Sequence, residues 1–443
     1  MKVVIPGGSG HIGSILARSF EREGHTVVVL SRAGRMGWDG RTLGDWTAKL
    51  AGADVVINLA GRSVNCRYNA RNRREIMESR VDSTRVVGEA IARSIWPPRL
   101  WLQMSTATIY GHRFDAANDE NGIIGGDAWR FSTDVAQAWE RALDEADTPL
   151  TRKVKLRSAI VMSPEGGGPF DALLRLVRYG LGGRAGDGRQ YVSWIHYRDF
   201  VRAIHWITDR DDLSGAINVA APDPLPNSEF MAALRSAWGV RVGLPAPRWL
   251  LEAGAFLLRT ETELVLKSRR VTPGLLLASG FTFEHPTWPE SARDLCTRWR
   301  AIRREIRVER REHDRSKLSR LFGHHRDRDH MGRAHAASPR SRLLDAFHGN
   351  DALADSVNHL LVVGFYLVNI GYVAIALRTT EKPRDLAAAI ELLSHKIGIV
   401  LLVLGVMHFI NLKIFSAIRQ RAQRIVPPPP VHPSERTAVA ANG

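Results

Sequence analysis

Residues 2–13 read Lys-Val-Val-Ile-Pro-Gly-Gly-Ser-Gly-His-Ile-Gly, and this stretch decides the fold. Its first apolar residues, 3–5, are typical of a short buried strand, and they lead directly into a loop with glycines at Gly7, Gly10 and Gly13. After the loop, apolar residues recur with helical spacing. The sequence therefore predicts a strand, a tight glycine turn and a helix that begins at the turn.

This arrangement is typical of a dinucleotide site. Gly7 would permit the turn, Gly10 would let the backbone approach a pyrophosphate, and Gly13 would let the helix pack against the strand. The free N–H groups of the helix N-terminus would face the phosphates. Glycine turns also end many strands that bind nothing, but a second apolar run at 26–30 follows at the distance that a βαβ unit requires.

The end of the second predicted strand bears on the choice of cofactor. An acidic residue there would bond the ribose 2′-hydroxyl of NAD, whereas arginine suits the 2′-phosphate of NADP. The chain has Arg32 at this point and no carboxylate before Asp39, so we expect NADP(H), the alternative being that Arg32 is a solvated loop residue. The third strand, 54–61, ends in small residues that leave room for a ligand. The predicted cofactor-binding residues are Gly7, Gly10, His11, Ile12, Gly13, Arg32, Leu59, Ala60 and Gly61.

Composition limits the other classes of function. The chain has 443 residues, 44% of them hydrophobic, which predicts two or three parts rather than one domain. The formal charge is +16, but much of the excess lies at 298–342, directly before an apolar region, so we favour a membrane flank over a nucleic-acid surface. The two cysteines, Cys66 and Cys296, are far apart and indicate neither a disulfide framework nor a metal site. We expect a reducing compartment and no secretory signal.

Motifs spread over about residues 1–300 resemble a known family. The chain is similar to the extended, atypical short-chain dehydrogenases/reductases, and within them to the epimerase family proteins, which are sugar-nucleotide-epimerase-like oxidoreductases. The resemblance implies a Rossmann domain followed by a small C-terminal domain. The matching residues are 7–13; 57–61; 76–81 with Thr84; 105–107 with Tyr110 and Gly111; Trp139 and Glu140; Gly182, Gly183, Gly186, Gly188, Arg189 and Gln190; 193–196 with Asp199; Asn218 with Ala221 and Pro222; 244–247; 271–273; and 279–283.

The residues at the positions used for proton transfer depart from that resemblance. Short-chain reductases use a tyrosine and a lysine four residues apart on one helix for proton transfer, but this chain has Phe131 and Val135 at those positions. Neither side chain can transfer a proton. The remaining candidates for polarising a substrate oxygen or moving a proton are Ser105, Thr106, Tyr110 and His196, although the last two also suit packing and turn-stabilising roles.

The C-terminal part changes character. Residues 357–377 and 397–415 are apolar stretches of about the length that a bilayer crossing needs, with basic sequence before the first and after the second. They predict a transmembrane hairpin with both termini and the soluble domain on the cytoplasmic side of the inner membrane. Two buried helices of a soluble domain are the alternative.

The sequence thus predicts an α/β, doubly wound parallel sheet with a small C-terminal lobe and a transmembrane α-hairpin. The predicted parts are a Rossmann domain (1–222), the small lobe (223–300), a basic linker (301–350), the hairpin (351–420) and a disordered tail (421–443). We expect an NADP(H)-dependent, membrane-tethered oxidoreductase or epimerase-like protein acting on an unidentified small molecule, or a dinucleotide sensor or scaffold without turnover. Membrane lipid is the expected partner, no metal or nucleic acid is expected, and oligomerisation is left open.

Overall fold

The structure, a computed structural model, describes residues 1–34, 37–126, 128–257 and 260–323. Residues Met1–Gly323 form one compact unit. Its strands are β1 Lys2–Pro6, β2 Thr26–Leu30, β3 Val55–Asn58, β4 Leu100–Thr106, β5 Arg152–Ser158, β6 Ile160–Met162, β7 Tyr191–Val192, β8 Trp194–His196, β9 Gly215–Val219 and β10 Leu225–Pro226. Its α-helices are α1 His11–Arg22, α2 Ala70–Ala92, α3 Arg130–Asp144, α4 Pro169–Arg178, α5 Tyr197–Asp209, α6 Asn227–Trp238, α7 Arg248–Leu257, α8 Glu263–Leu266, α9 Gly274–Ala278 and α10 Trp288–Gly323. Short 3₁₀ helices cover Asp45–Lys49 and Ala107–Ile109.

The main sheet has six parallel strands in the order β2-β1-β3-β4-β5-β9. From β1 the chain first moves outward to β2 and then returns to β3 on the other side of β1. The topological switch point therefore lies between the carboxyl ends of β1 and β3, where ligands bind in open α/β sheets. The predicted doubly wound parallel sheet is confirmed.

Helices cover both faces of this sheet, as the unbroken apolar strands require. Val3 and Ile5 of β1 join the core that includes α1 and α5 residues, whereas Val4 joins the opposite core with α2 and Trp101. Because successive strand residues point to opposite faces, one strand contributes to both cores. This burial fixes the register of β1 and so the position of the glycine loop that follows it.

A second lobe packs beside the sheet. It contains the paired strands β6 with β8 and β7 with β10, together with α4, α6 and the start of α10. Its core is rich in aromatic residues, and Phe230 stacks on Trp288 with ring centroids 4.0 Å apart. The lobe thus combines residues from both sides of the predicted boundary at 222/223, because β7 and α4 precede that boundary and α6 and α10 follow it.

The predicted linker and hairpin are only partly covered by the described residues. The first part of the predicted linker, 301–323, continues α10 as helix. Among the described helices, none combines the length with the apolar composition needed to cross a bilayer. The rest of the predicted linker, the predicted hairpin (351–420) and the predicted tail (421–443) lie outside the described residues.

Candidate functional site

The glycine loop brings backbone segments into direct contact at the switch point. Gly7 has φ of +75°, and a Cβ built there would lie 2.6 Å from the Ala60 backbone. A Cβ on Gly13 would lie 2.3 Å from the carbonyl oxygen of Gly8. These two positions accept only glycine, because a side chain would push β3 or α1 away from the loop.

The loop leads into the N-terminus of α1, where Gly10 is the N-cap residue. The first helical hydrogen bond runs from the Ser14 N–H to the Gly10 carbonyl oxygen at 2.9 Å, so the preceding N–H groups are free to face a ligand. Ile12 packs against the core. His11 starts the helix, and its ring lies against Gly168 at the N-cap of α4.

A cleft of about 630 Å³ opens at this point. Six of its sixteen lining residues belong to the predicted cofactor set, since the lining is Gly7, Ser9, Gly10, Ser31, Arg32, Trp38, Asp39, Gly40, Arg41, Leu59, Ala60, Gly61, Arg62, Glu75, Ser79 and Ser83. We call it the first cleft. Its size, its glycine wall and the helix N-terminus fit a dinucleotide.

The rim of the first cleft beyond β2 is basic. Arg32 is exposed there, and Arg41 lines the same region. Asp39 accepts hydrogen bonds from the backbone N–H groups of Arg41 and Thr42 at 2.8 and 2.9 Å, and Arg41 Nη2 pairs with Glu78 Oε2 at 2.9 Å. Asp39 therefore shapes the turn and Arg41 is already paired, so the exposed Arg32 is the group best placed to meet a phosphate.

The end of β3 is held in place by an amide side chain. Asn58 is fully buried; its Nδ2 donates to Gln103 Oε1 at 3.0 Å and its Oδ1 accepts from the Ala60 N–H at 3.1 Å. These bonds tie the turn 59–61 to β4, and they keep the small residues Ala60 and Gly61 at the cleft wall.

A second, smaller cleft of about 220 Å³ lies at the carboxyl end of β4. It is lined by Val64, Tyr68, Ile76, Arg80, Met104, Ser105, Thr106, Thr108, Phe131, Ser132, Val135, Trp139, Glu263, Leu264 and Arg269. The structure therefore brings Ser105 and Thr106 together with Phe131 and Val135, which stand where short-chain reductases have their proton-transferring tyrosine and lysine. Residues 263–269 close the cleft from the C-terminal part of the unit.

Ser105 and Thr106 differ in what their hydroxyls can do. Ser105 is buried, and its hydroxyl donates to Glu140 Oε1 at 2.6 Å. The Thr106 hydroxyl accepts from the Thr108 backbone N–H at 3.1 Å, which leaves its own proton free to be donated. Thr106 is thus better suited than Ser105 to polarise a substrate oxygen.

Tyr110 lies outside both clefts. It is 1% exposed, and its hydroxyl donates to Asn218 Oδ1 at 2.7 Å and accepts from Arg157 Nη1 at 3.0 Å. Arg157 in turn makes two 2.9 Å bonds to Glu140. Burial raises the pKa of the Tyr110 phenol. This geometry argues against proton transfer to a substrate and assigns Tyr110 to a network that joins β4, β5, β9 and α3.

His196 is also remote from both clefts. It is fully buried at the N-cap of α5, its Nε2 lies 3.1 Å from Asp294 Oδ2, and its ring centroid lies 3.7 Å from that of the tilted His285 ring. Burial, reinforced by His285, lowers the pKa of His196 to about 3. His196, His285 and Asp294 are close enough to share a metal ion, but Asp294 already accepts a 2.6 Å bond from Arg298 Nε. We assign the cluster a structural role.

The sequence by itself assigned no role to four polar residues in or beside the second cleft, which are Arg80, Ser132, Glu263 and Lys267. Glu263 is 4% exposed and accepts a hydrogen bond from the Ser132 hydroxyl, while Lys267 Nζ lies 3.5 Å from the same hydroxyl. Burial raises the pKa of Glu263 and lowers that of Lys267 to about 8. A sequence pattern could have pointed to Arg80, because this charged residue lies on the same helical face as Ile76 and Thr84, where apolar or small residues are expected. No sequence pattern points to Glu263, because only the tertiary structure brings it into contact with Ser132.

The parallel sheet, the glycine loop and the first cleft define a dinucleotide-binding protein of the Rossmann class. Known proteins agree with this class. The profile of the NAD dependent epimerase/dehydratase family matches residues 3–125, and a domain of unknown function, DUF1731, matches residues 246–295.

Individual relatives extend the match. The epimerase family protein SDR39U1 of Bos taurus is 32% identical over 293 residues, which are 65% of this chain and 96% of that protein. The epimerase family protein YfhF of Bacillus subtilis is 28% identical over 293 residues, covering 94% of its length. The solved human SDR39U1 (isoform 2) with NADPH has a TM-score of 0.61 at 28% identity, covering 67% of this chain and 99% of that one. A nucleoside-diphosphate sugar epimerase from Corynebacterium glutamicum has a TM-score of 0.54 at 26% identity, covering 73% and 68%. The chain belongs to the SDR39U1-like epimerase family of short-chain dehydrogenases/reductases.

Proposed function

We propose that this protein is an NADP(H)-dependent oxidoreductase that acts at a carbonyl or alcohol carbon. The observation that carries the proposal is the adjacency of the two clefts. Gly61 belongs to the wall of the first cleft, and a Cβ built on it would lie 3.3 Å from the guanidinium carbon of Arg80, which lines the second. A dinucleotide in the first cleft can therefore reach a small molecule in the second.

The basic rim supports NADP(H) rather than NAD(H). Arg32, Arg41 and Ser31 line the first cleft beyond β2, and the Asp39 carboxylate is occupied by the turn that it shapes. Guanidinium groups recognise phosphate strongly, whereas they offer nothing specific to a 2′-hydroxyl. The human relative solved with NADPH agrees with this choice.

When bound, the nicotinamide supplies or accepts hydride. The chain's own residues then manage the substrate oxygen. Thr106 can donate a hydrogen bond to it, and the buried Glu263 with its Ser132 partner can give or take a proton. The raised pKa of Glu263, caused by burial, suits an acid that keeps its proton nearer neutral pH.

The competing function is a dinucleotide sensor or scaffold without turnover. Phe131 and Val135 favour it, because the proton-transfer pair of short-chain reductases is absent at these positions. The two functions share cofactor binding and differ in whether NADPH is consumed.

Titration of the purified chain with NADPH and NADH, followed by fluorescence, tests the cofactor. We expect Arg32→Ala to weaken NADPH binding about tenfold, since a charge-assisted hydrogen bond is worth about 1.5–3 kcal/mol, and to leave NADH unchanged. Arg22→Ala, at the opposite end of α1 from the cleft, is the matched control. Equal losses for both cofactors would refute the role of Arg32. Consumption of NADPH with a panel of carbonyl compounds then separates the enzyme from the sensor.

We further propose, from the sequence of residues 357–377 and 397–415, that the protein is held at the inner membrane by a hairpin with both termini in the cytoplasm. Cell fractionation should find the full chain with membranes and residues 1–323 in the soluble fraction. The shorter chain contains the whole compact unit Met1–Gly323 and therefore keeps the contacts within it, including Arg303 over the Trp299 ring. A full chain in the soluble fraction would contradict the anchor.

A further inference from the structure

Arg80 points from α2 into the second cleft. Its guanidinium carbon lies 5.0 Å from the Trp139 ring centroid, and its Nη1 donates a 3.0 Å hydrogen bond to the Ile76 carbonyl of its own helix. Among the described residues, no carboxylate forms an ion pair with Arg80, and the bond to Ile76 is the one hydrogen bond of its guanidinium. A partly buried cation that lines a cleft and has so few partners favours an anionic ligand, because desolvating a charge is costly unless the charge is paired.

Neighbouring arginines are already occupied. Arg62 pairs with Glu75 and bonds Asn72 at 2.8 Å. Arg269 bonds the Thr108 hydroxyl at 3.0 Å and several backbone carbonyls of the segment 263–267. Burial also lowers the pKa of Arg80 to about 10, which is the mark of a desolvated cation that a bound anion would stabilise.

The anion that meets Arg80 belongs to the second ligand rather than to the dinucleotide. Arg80 lines the second cleft and is absent from the lining of the first, where the helix N-terminus of α1 can take the phosphates. The second cleft has two arginines, Arg80 and Arg269, against the single carboxylate of Glu263, so its balance is positive. Its volume of about 220 Å³ is below the roughly 300–1,000 Å³ of pockets for larger ligands, which favours a small molecule over a nucleotide sugar.

We propose that the second cleft binds a small carbonyl compound or alcohol that bears a carboxylate, and that Arg80 pairs with this carboxylate. The proposal rests on the function proposed above and names its substrate class. The planar fork of Arg80 can hold the two carboxylate oxygens together, which fixes the substrate against Thr106 and Glu263 in the same cleft.

The test uses the full chain saturated with NADP⁺, which has no hydride to transfer to the added compound, and three small oxo-acids, acetoacetate, glyoxylate and succinate semialdehyde. Each acid is compared with its neutral methyl ester by calorimetric titration. We expect at least one acid to bind about 10- to 100-fold more tightly than its ester, as the loss of one charge-assisted contact predicts. Arg80→Met should abolish that preference, and Arg80→Lys should restore part of it. Arg74→Met, exposed on the same helix, should bind like the wild type.

Several results would overturn the proposal. Equal binding of every acid and its ester, no binding of any acid, or a full acid preference in Arg80→Met would each do so. Loss of NADPH affinity in both Arg80 variants would mean that Arg80 serves the cofactor. Tighter binding of inorganic phosphate than of the acids would change the substrate class. Failure of the wild type to bind NADPH would instead refute the proposed function, and this titration is done first.

Discussion

At the residue scale, the second cleft combines side chains of α3 with side chains from a distant segment, residues 263–269. Phe131 occupies the helix position at which short-chain reductases have a proton-transferring tyrosine. Its ring packs on Tyr68 with centroids 5.1 Å apart. The next residue, Ser132, faces the cleft and bonds Glu263, which lies on α8. Only the fold thus brings this carboxylate to α3, where we propose that it handles the substrate proton.

Glu263→Gln tests this assignment. The substitution keeps the shape and a hydrogen bond to Ser132 but removes the titrating proton. We expect the rate of NADPH oxidation to fall about 100-fold or more with any carbonyl compound that the wild type reduces, since general acid catalysis contributes about 10²–10⁴, while NADPH affinity is unchanged. Glu252→Gln, exposed on α7, is the control. A wild-type rate in Glu263→Gln would reject Glu263 as the donor.

At the element scale, the β1-loop-α1 unit depends on glycine for two different reasons. Gly13 has no room for a Cβ, because the carbonyl oxygen of Gly8 would lie 2.3 Å away. Gly10 has room in the protein itself, where the nearest atom to a built Cβ is 3.7 Å away. Packing therefore requires glycine at Gly13, whereas the approach of a ligand requires glycine at Gly10.

The pair Gly13→Ala and Gly10→Ala separates these requirements. Gly13→Ala should lower the free energy of unfolding by about 1–3 kcal/mol, as overpacking does, and should also weaken NADPH binding. Gly10→Ala should cost under about 1 kcal/mol of stability, the loss expected at an N-cap, yet weaken NADPH binding about tenfold or more. Thermal unfolding and fluorescence titration measure both effects. A Gly10→Ala protein with wild-type NADPH affinity would contradict the close approach.

At the scale of the whole molecule, the sheet and the second lobe are joined by buried polar contacts as well as by apolar packing. His196 ends β8 and caps α5, and it faces Asp294 of α10 as well as His285, with Arg298 on the far side of Asp294. Because burial holds the pKa of His196 near 3, the folded protein keeps this ring neutral well below the pH at which an exposed histidine is protonated.

This linkage predicts acid sensitivity of the fold. Between about pH 6.5 and about pH 3, the unfolded chain binds a proton at His196 that the folded chain does not, so stability falls as the pH falls through this window. One such group contributes a slope of up to about 1.4 kcal/mol per pH unit. His196→Gln should have a shallower dependence of unfolding free energy on pH, whatever its absolute stability. Identical slopes for the two proteins would contradict the prediction.

The sequence by itself determined the βαβ start, the parallel sheet and the glycine wall of the first cleft, because these features depend on local patterns. Apolar runs specify strands, and glycines at fixed spacing specify a loop that only one backbone path can follow. It likewise identified Thr106 at the end of β4, and it placed Phe131 and Val135 where short-chain reductases have a proton-transferring tyrosine and lysine.

Only the tertiary structure decided what the candidate side chains do. Tyr110 and His196 are plausible proton donors in a linear sequence, but burial and hydrogen bonding to Asn218 and Asp294 remove them from the clefts. Conversely, Glu263 reaches Ser132 across 131 residues of sequence, because the C-terminal part of the unit folds back over β4. Contacts between distant segments follow from how apolar faces pack together, and no local pattern encodes which side chains that packing leaves facing a cleft.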